Sequence, residues 1–246
     1  MEVRYNEGDD SPAHKAGSGN LYDCPVFFMG APPPKSTRPR TIFYVDGFNL
    51  YYGAVRATPA LKWLNLERYC KLLRPHDAII SIRYFSALVA GSDRSNQQTY
   101  LRALSTTPLV EVILGKFKQK NVKCGVTTCN SPGQKWFQMP EEKRTDVNIA
   151  VFMLDDAYQN ACDQMIIFSG DSDLVPAINM VRRRFPSKKI IVYVPSRDPV
   201  RGAAVELRTA AHVNRTLPLH LLLKSQFPNQ FQDGSGGLLS RPLTWI

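Results

Sequence analysis

The sequence predicts an α/β protein with a mainly parallel central sheet. Short apolar, β-rich runs alternate with helix-patterned segments from residue 41 to about residue 223, implying right-handed βαβ crossovers. The run Met165-Ile166-Ile167-Phe168 is apolar throughout, as in a strand buried on both faces. Two runs also end abruptly in acid: Thr41-Ile42-Phe43-Tyr44-Val45-Asp46-Gly47-Phe48-Asn49, and Ile167-Phe168-Ser169-Gly170-Asp171-Ser172-Asp173. In α/β sheets the carboxyl ends of the strands carry the sites, so two acidic strand ends point to one shared site.

Residues 1–40, rich in Gly, Ser, Asp and Pro, read as a disordered arm and Pro-rich linker in which Val26-Phe27-Phe28-Met29 is the apolar patch. The first strand covers Thr41 to Asp46; Gly47 permits a sharp exit, and a helix bearing Asn49 follows to about Ala57. Asn65 fits an N-cap for a helix with Leu66, Tyr69, Cys70 and Leu73 inward. A second strand, Ala78 to about Leu88, leads to a helix capped by Ser92 or Asp93, and a third strand is expected over Val110 to Phe117. Lys118 to Pro140 reads as a polar hairpin flap with Trp136 and Phe137.

From Thr145, a fitting N-cap, Val147, Ala150, Val151, Leu154, Tyr158 and Ala161 fall on one helical face, the expected core face, with Asp146 in the first turn. A fourth strand, Gln164 to Phe168, enters the acidic turn, and Asp173 is expected to cap the helix Leu174 to Phe185, where Pro176 is tolerated in the first turn. Lys189 to Val194 is a fifth strand; a helix near Ala203 to Ala211, a short strand at Val213 to Thr216 and a helix at Leu217 to Leu223 complete a domain over residues 41–227. Residues 228–246 read as a flexible tail.

The formal charge of +10 favours a polyanionic partner, while no apolar run approaches the roughly 20 residues that span a bilayer. A cytoplasmic protein without a membrane partner is the expectation, and the odd count of five cysteines suits reduced thiols. Cys124 and Cys129 lack a second pair for a zinc site, and the four histidines have no catalytic spacing. Phosphate-binding loops of the G-x-x-x-x-G-K-[ST] and G-x-G-x-x-G kinds are absent, as is a G-x-S-x-G elbow. An aspartyl-nucleophile phosphohydrolase would carry a second acid two residues after Asp46, where Phe48 stands.

What remains is acidic. Asp46, Asp171 and Asp173 arrive at one sheet edge, and the helix bearing Asp146 can bring a fourth carboxylate close. Singly, each Asp is more simply a cap or an Asx-turn residue; together they repel unless a cation or proton intervenes. Mg²⁺ or Mn²⁺, which prefer oxygen ligands, are the natural companions. Asn49 and Ser169 fit as orienting neighbours, Lys143 and Arg144 as phosphate contacts, and Asp155 and Asp156 as surface or structural residues. Phe117, Tyr51, Tyr52 and Trp136 among Lys116, Lys118, Lys120 and Lys123 suit single-stranded nucleic acid, whereas Arg182-Arg183-Arg184 falls at the opposite sheet edge.

Val45-Asp46-Gly47-Phe48-Asn49-Leu50, Glu142-Lys143-Arg144-Thr145-Asp146-Val147-Asn148-Ile149-Ala150, Asp155-Asp156-Ala157 and Ser169-Gly170-Asp171-Ser172-Asp173-Leu174-Val175-Pro176 resemble the NYN domain family, a PIN-like nuclease group, in its bacterial branch. The resemblance covers about Arg40 to Phe227. It implies a PIN-like three-layer α/β/α sandwich and metal-dependent ribonuclease activity, with Asp46, Asp146, Asp171 and Asp173 as the acidic residues. Arg144 stands where the family more usually has Gly, and Phe152 where some relatives carry another acid.

The expected function is therefore hydrolysis of single-stranded or structured RNA, with Asp46, Asp146 and Asp171 holding Mg²⁺ or Mn²⁺ and Asp173 supporting them. A non-catalytic RNA-binding or adaptor module on the same fold is the alternative, and a phosphatase or DNA-directed nuclease differs in substrate alone. Homodimerisation stays open.

Overall fold

The computed structural model describes residues 38–126, 136–196 and 205–246. Ten strands are found among them: β1 (Arg40–Asp46), β2 (Ala78–Ser86), β3 (Val110–Leu114), β4 (Lys116–Lys123), β5 (Trp136–Lys143), β6 (Gln164–Phe168), β7 (Lys189–Val194), β8 (Val213–Thr216), β9 (Gln230–Gln232) and β10 (Leu238–Ser240). The helices are α1 (Gly47–Leu50), continued by wider turns over Tyr51–Val55, α2 (Leu66–Leu73), α3 (Arg94–Leu104), α4 (Thr145–Tyr158), α5 (Val175–Arg184), α6 (Val205–Ala210) and α7 (Leu219–Lys224).

Six strands form a parallel sheet in the order β3-β2-β1-β6-β7-β8. The central strands β1 and β6 are apolar on both faces because both faces are covered. Phe43 and Val45 enter one core with Trp63, Leu66, Tyr69 and Leu104; Ile42 and Tyr44 enter another with Ile149, Met153, Ile178 and Leu207. The result is a three-layer α/β/α sandwich. No helix among the described residues is long and apolar enough to cross a membrane.

Several expectations about elements are corrected. The third strand does not run through to Phe117. β3 ends at Leu114, and the chain turns at Gly115 into β4, which pairs antiparallel with β5. A Cβ at Gly115 would lie 2.7 Å from the Lys143 carbonyl oxygen, so this root of the hairpin closes only on glycine. Gly47, likewise, is needed for close approach: a Cβ there would fall 2.7 Å from the Phe85 oxygen and the Tyr84 ring.

Helix α4 presents the other of its two apolar stripes. Ile149, Met153, Asp156 and Ala157 are buried, whereas of the expected face Val147, Val151 and Tyr158 are more than half exposed and Leu154 and Ala161 pack partly against the core. The helix is apolar nearly all round, so periodicity alone does not choose a face. Asp156 decides it: its carboxylate accepts hydrogen bonds from the Tyr44 hydroxyl at 2.6 Å and Arg83 at 2.8 Å, from beneath the sheet-facing side. Asp156 is therefore structural, while Asp155 bonds to Gln159 at the surface.

Residues 228–246 are not a loose tail. β9 and β10 form an antiparallel hairpin, and Leu239 and Trp245 are buried. Trp63 explains the docking: its indole lies within 6.3 Å, centre to centre, of Tyr100, Phe227, Phe231 and Trp245, and donates to the Pro228 carbonyl at 2.8 Å. Phe231 and Trp245 are too sparsely spaced to show periodicity. The arm patch Val26–Met29 and Cys129 lie outside the described residues.

Candidate active site

From β1 the sheet grows one way through β2 and β3, and from β6 the other way through β7 and β8. The carboxyl ends of β1 and β6 thus flank a topological switch point, where crossovers diverge and leave a crevice. Asp46 ends β1, and Ser169 through Asp173 follow β6.

Hydrogen bonds tie the two strand ends together. Asp46 caps α1, accepting from the Asn49 backbone N–H at 2.9 Å and from Asn49 Nδ2 at 2.6 Å, while the Ser169 hydroxyl donates to it at 3.2 Å. Asn49 Oδ1 accepts from the Gly170 N–H at 3.1 Å, and Ser169 Oγ from the Asp171 N–H at 3.1 Å. Asp171 Oδ1 in turn accepts from the Asp173 N–H at 3.0 Å, capping the single helical turn Ser172–Leu174. Asp173 caps nothing: α5 has Leu174 at its N-cap position without a side-chain bond, and the Asp173 carboxylate stays exposed at the crevice.

The carboxylates of Asp146, Asp171 and Asp173 bring one oxygen each within 4.8 Å of one another. The expected trio was Asp46, Asp146 and Asp171. Asp46 instead sits behind the cluster, almost wholly buried, with both oxygens engaged by Asn49 and Ser169. Asp146 arrives on the first turn of α4, one residue after its start at Thr145. Arg144, not Thr145, occupies the N-cap position, and the Thr145 hydroxyl donates to Glu142 Oε1.

Glu142 joins the site although no role for it follows from its own segment. β5 delivers it beside the cluster, opposite Phe117 in the hairpin register. Burial, opposed by Thr145 and reinforced by Asp46 and Asp146, pushes its carboxyl up to about 7. The signal in the sequence is nearness alone: it lies three residues before Thr145 in the segment containing Asp146.

Burial also lifts Asp146 to about 6, with the charges of Asp46, Asp171 and Asp173 adding to the shift. Asp46 is raised too, by burial first, against its bonds from Asn49 and Ser169. Close carboxylates offering only oxygen, with no ion pair to a cation among the described residues, fit a hard divalent ion such as Mg²⁺ or Mn²⁺. Asp146, Asp171 and Asp173 would hold it.

This electrostatic strain should be measurable. A carboxyl whose folded pKa is raised stabilises the fold while protonated, fully below the ordinary values of 3.8 and 4.5, and loses that contribution as pH rises through about 6 and about 7. Metal-free protein is expected to melt higher at about pH 5.5 than at about pH 8. Adding Mn²⁺ should raise the midpoint at the higher pH by roughly 2–4 °C, equivalent to about 1 kcal/mol after discounting for solvent screening, and by less at the lower pH. Thermal melts with EDTA or Mn²⁺ check this; identical Mn²⁺ responses at both pH values would contradict it.

The other expected residues divide. Lys143 is exposed and pairs with Glu141 at 2.9 Å. Lys116, Lys118, Lys120 and Lys123 line β4, whose Phe117 meets Phe48 edge-on at 5.5 Å. Arg182 spends its guanidinium on the Ala210 carbonyl, and buried Lys188 bonds to Asn160 and the Cys162 carbonyl, so these two basic residues are structural. Phe152 packs against Phe85 and beneath the Arg83 guanidinium, 4.5 Å from the ring centre.

Arg144 has φ = 84°, in the left-handed region that glycine enters at the lowest steric cost. An L-residue pays about 1–2 kcal/mol for that conformation, and glycine loses about 0.5–1 kcal/mol through extra chain entropy. Arg144→Gly is therefore expected to stabilise the fold by up to about 1 kcal/mol in urea denaturation. A loss of stability would mean that the arginine side chain makes a compensating contact.

Beside the acids, a cavity of about 130 Å³ opens between α1 and α3, walled by Phe48, Tyr51, Tyr52, Tyr84, Tyr100 and Trp245.

The NYN domain family model matches residues 40–216, and the chain belongs to that family, whose members are generally nuclease-like. It is 30% identical to the 6-hydroxy-3-succinoylpyridine 3-monooxygenase HspA of Pseudomonas putida, over 72% of this chain and 66% of that protein, so the chain spans just under two thirds of that relative. A crystal structure of a Vibrio parahaemolyticus protein of unknown function superposes with a TM-score of 0.47 at 18% identity, covering 74% of this chain and 94% of that one.

Proposed function

We propose that this protein is a divalent-metal-dependent endoribonuclease acting on single-stranded or structured RNA. The observation that carries the reading is the convergence of Asp146, Asp171 and Asp173 at the switch point of the sheet. Membership of a nuclease-like family and the formal charge of +10 support it. When bound, Mg²⁺ or Mn²⁺ would supply Lewis-acid stabilisation of charge on a phosphoryl group and activation of water.

The chain's own residues do the rest. Asp46 fixes Asn49 and Ser169, which lock the Ser169–Asp173 turn so that Asp171 and Asp173 face Asp146. Glu142, raised to about 7, is poised to accept or return a proton near neutral pH. Lys143, Arg144 and the β4 lysines contribute positive charge along the phosphate backbone, and Phe48 and Phe117 offer rings for bases.

The test is cleavage of end-labelled RNA by the full chain with Mg²⁺ or Mn²⁺, and with EDTA. Metal-dependent internal cuts are expected. RNA binding without cutting would favour the adaptor alternative.

A second reading draws on the aromatic cavity and on the relative named as acting on a substituted pyridine: the cavity would seat a small heteroaromatic substrate. Binding of a hydroxypyridine by a protein that leaves RNA intact would favour it.

A further inference from the structure

We propose that the cavity between α1 and α3 binds the ring of a pyrimidine nucleotide. Size comes first. At about 130 Å³ the space is close to the roughly 150 Å³ apolar cavity known to take benzene, so a single six-membered ring fills it more closely than a fused bicycle. Its walls carry six aromatic side chains among aliphatic and polar ones, suiting a planar ring through stacked and edge contacts.

Polar groups at the lining match a heterocycle better than a hydrocarbon. Lys62, its ammonium 5.7 Å from the centre of the Tyr51 ring, can donate to a ring carbonyl. Asp93 stands at the start of α3 with no capping hydrogen bond from its side chain, leaving its carboxylate able to accept from a ring N–H or exocyclic amine. Uracil and cytosine carry such carbonyl and N–H groups, which would be costly to bury unpaired.

The location also suits a nucleotide. Gly47 and Phe48, the next residues after Asp46, form part of the wall, and Phe48 reaches out to Tyr52 on one side and to Phe117 of the hairpin on the other. Ring binding stands independently of cleavage; only the link to an RNA strand rests on the ribonuclease reading.

Isothermal titration calorimetry of the full chain in EDTA tests this with uridine 5′-monophosphate, guanosine 5′-monophosphate and a short oligouridylate. The uridine nucleotide is expected to bind at least about tenfold tighter than the guanosine nucleotide. Val89→Phe, which fills the cavity, and Tyr52→Ala, which removes an exposed wall residue with little risk to the fold, should each weaken uridine nucleotide binding by about tenfold. Asp171→Asn should leave that affinity within about twofold, so loss of cleavage and loss of ring binding are separable. Tighter binding of the oligouridylate than of the mononucleotide identifies a strand as the source of the ring, and the reverse identifies a free nucleotide. No saturable binding, equal affinity for the two mononucleotides, or binding undiminished in Tyr52→Ala overturns the proposal.

Discussion

Asp171→Asn and Asp146→Asn are each expected to lower metal-dependent RNA cleavage by about 10²–10³-fold, the scale on which one stabilising group at a developing charge acts. Each substitution keeps side-chain volume and removes one negative charge from the cluster. In Asp171→Asn the amide oxygen can still accept from the Asp173 N–H, so the turn is retained and the loss reports charge. Asp46→Asn should behave differently. Its amide N–H₂ would confront either Asn49 Nδ2 and the Ser169 hydroxyl, which both donate to Oδ2, or the Asn49 backbone N–H, which donates to Oδ1. The expected loss is about 10–100-fold, typical of a residue that orients others. Single-turnover rates at saturating Mn²⁺ check the order. Cleavage within about threefold of wild type in both Asp146→Asn and Asp171→Asn would remove the cluster from the mechanism.

Much of this arrangement is legible from local chemistry. Asn65 caps α2 through its side chain, as its position before Leu66 indicates, and Gln164–Phe168 is a strand with the expected bounds because an apolar run closed by Ser-Gly-Asp has few other readings. Asp46 and Asp171 are found at adjacent strand ends for the same reason. What local pattern could not provide was the choice among equally apolar or equally acidic alternatives. The apolar run from Val110 continues past Gly115 to Phe117, so the turn there emerges only when the chain meets Lys143. Glu142 becomes a site residue through hairpin register, a contact between segments rather than a property of either. Trp245 finds its place on Trp63 across nearly the whole domain.

The same dependence on distant partners makes Asp156 a residue whose removal should cost the fold heavily. Asp156→Ala is expected to destabilise by about 3–5 kcal/mol in urea denaturation, because it leaves Arg83 largely buried without its closest carboxylate. Glu111 cannot replace it: it lies 3.6 Å from Arg83 Nε and is more than half exposed. The Tyr44 hydroxyl, deep beneath the sheet, would lose its acceptor as well. Burial already raises the Asp156 carboxyl against the bonds from Tyr44 and Arg83, so the pair is held by mutual satisfaction more than by net attraction. Replacing both charges, as in Arg83→Met with Asp156→Leu, should therefore recover most of the loss, since an apolar pair leaves no uncompensated charge. A single Asp156→Ala cost below about 1 kcal/mol would show that water reaches Arg83. A double variant no better than the single would show instead that the hydrogen bonds to Asp156 hold α4, and with it Asp146, against the sheet.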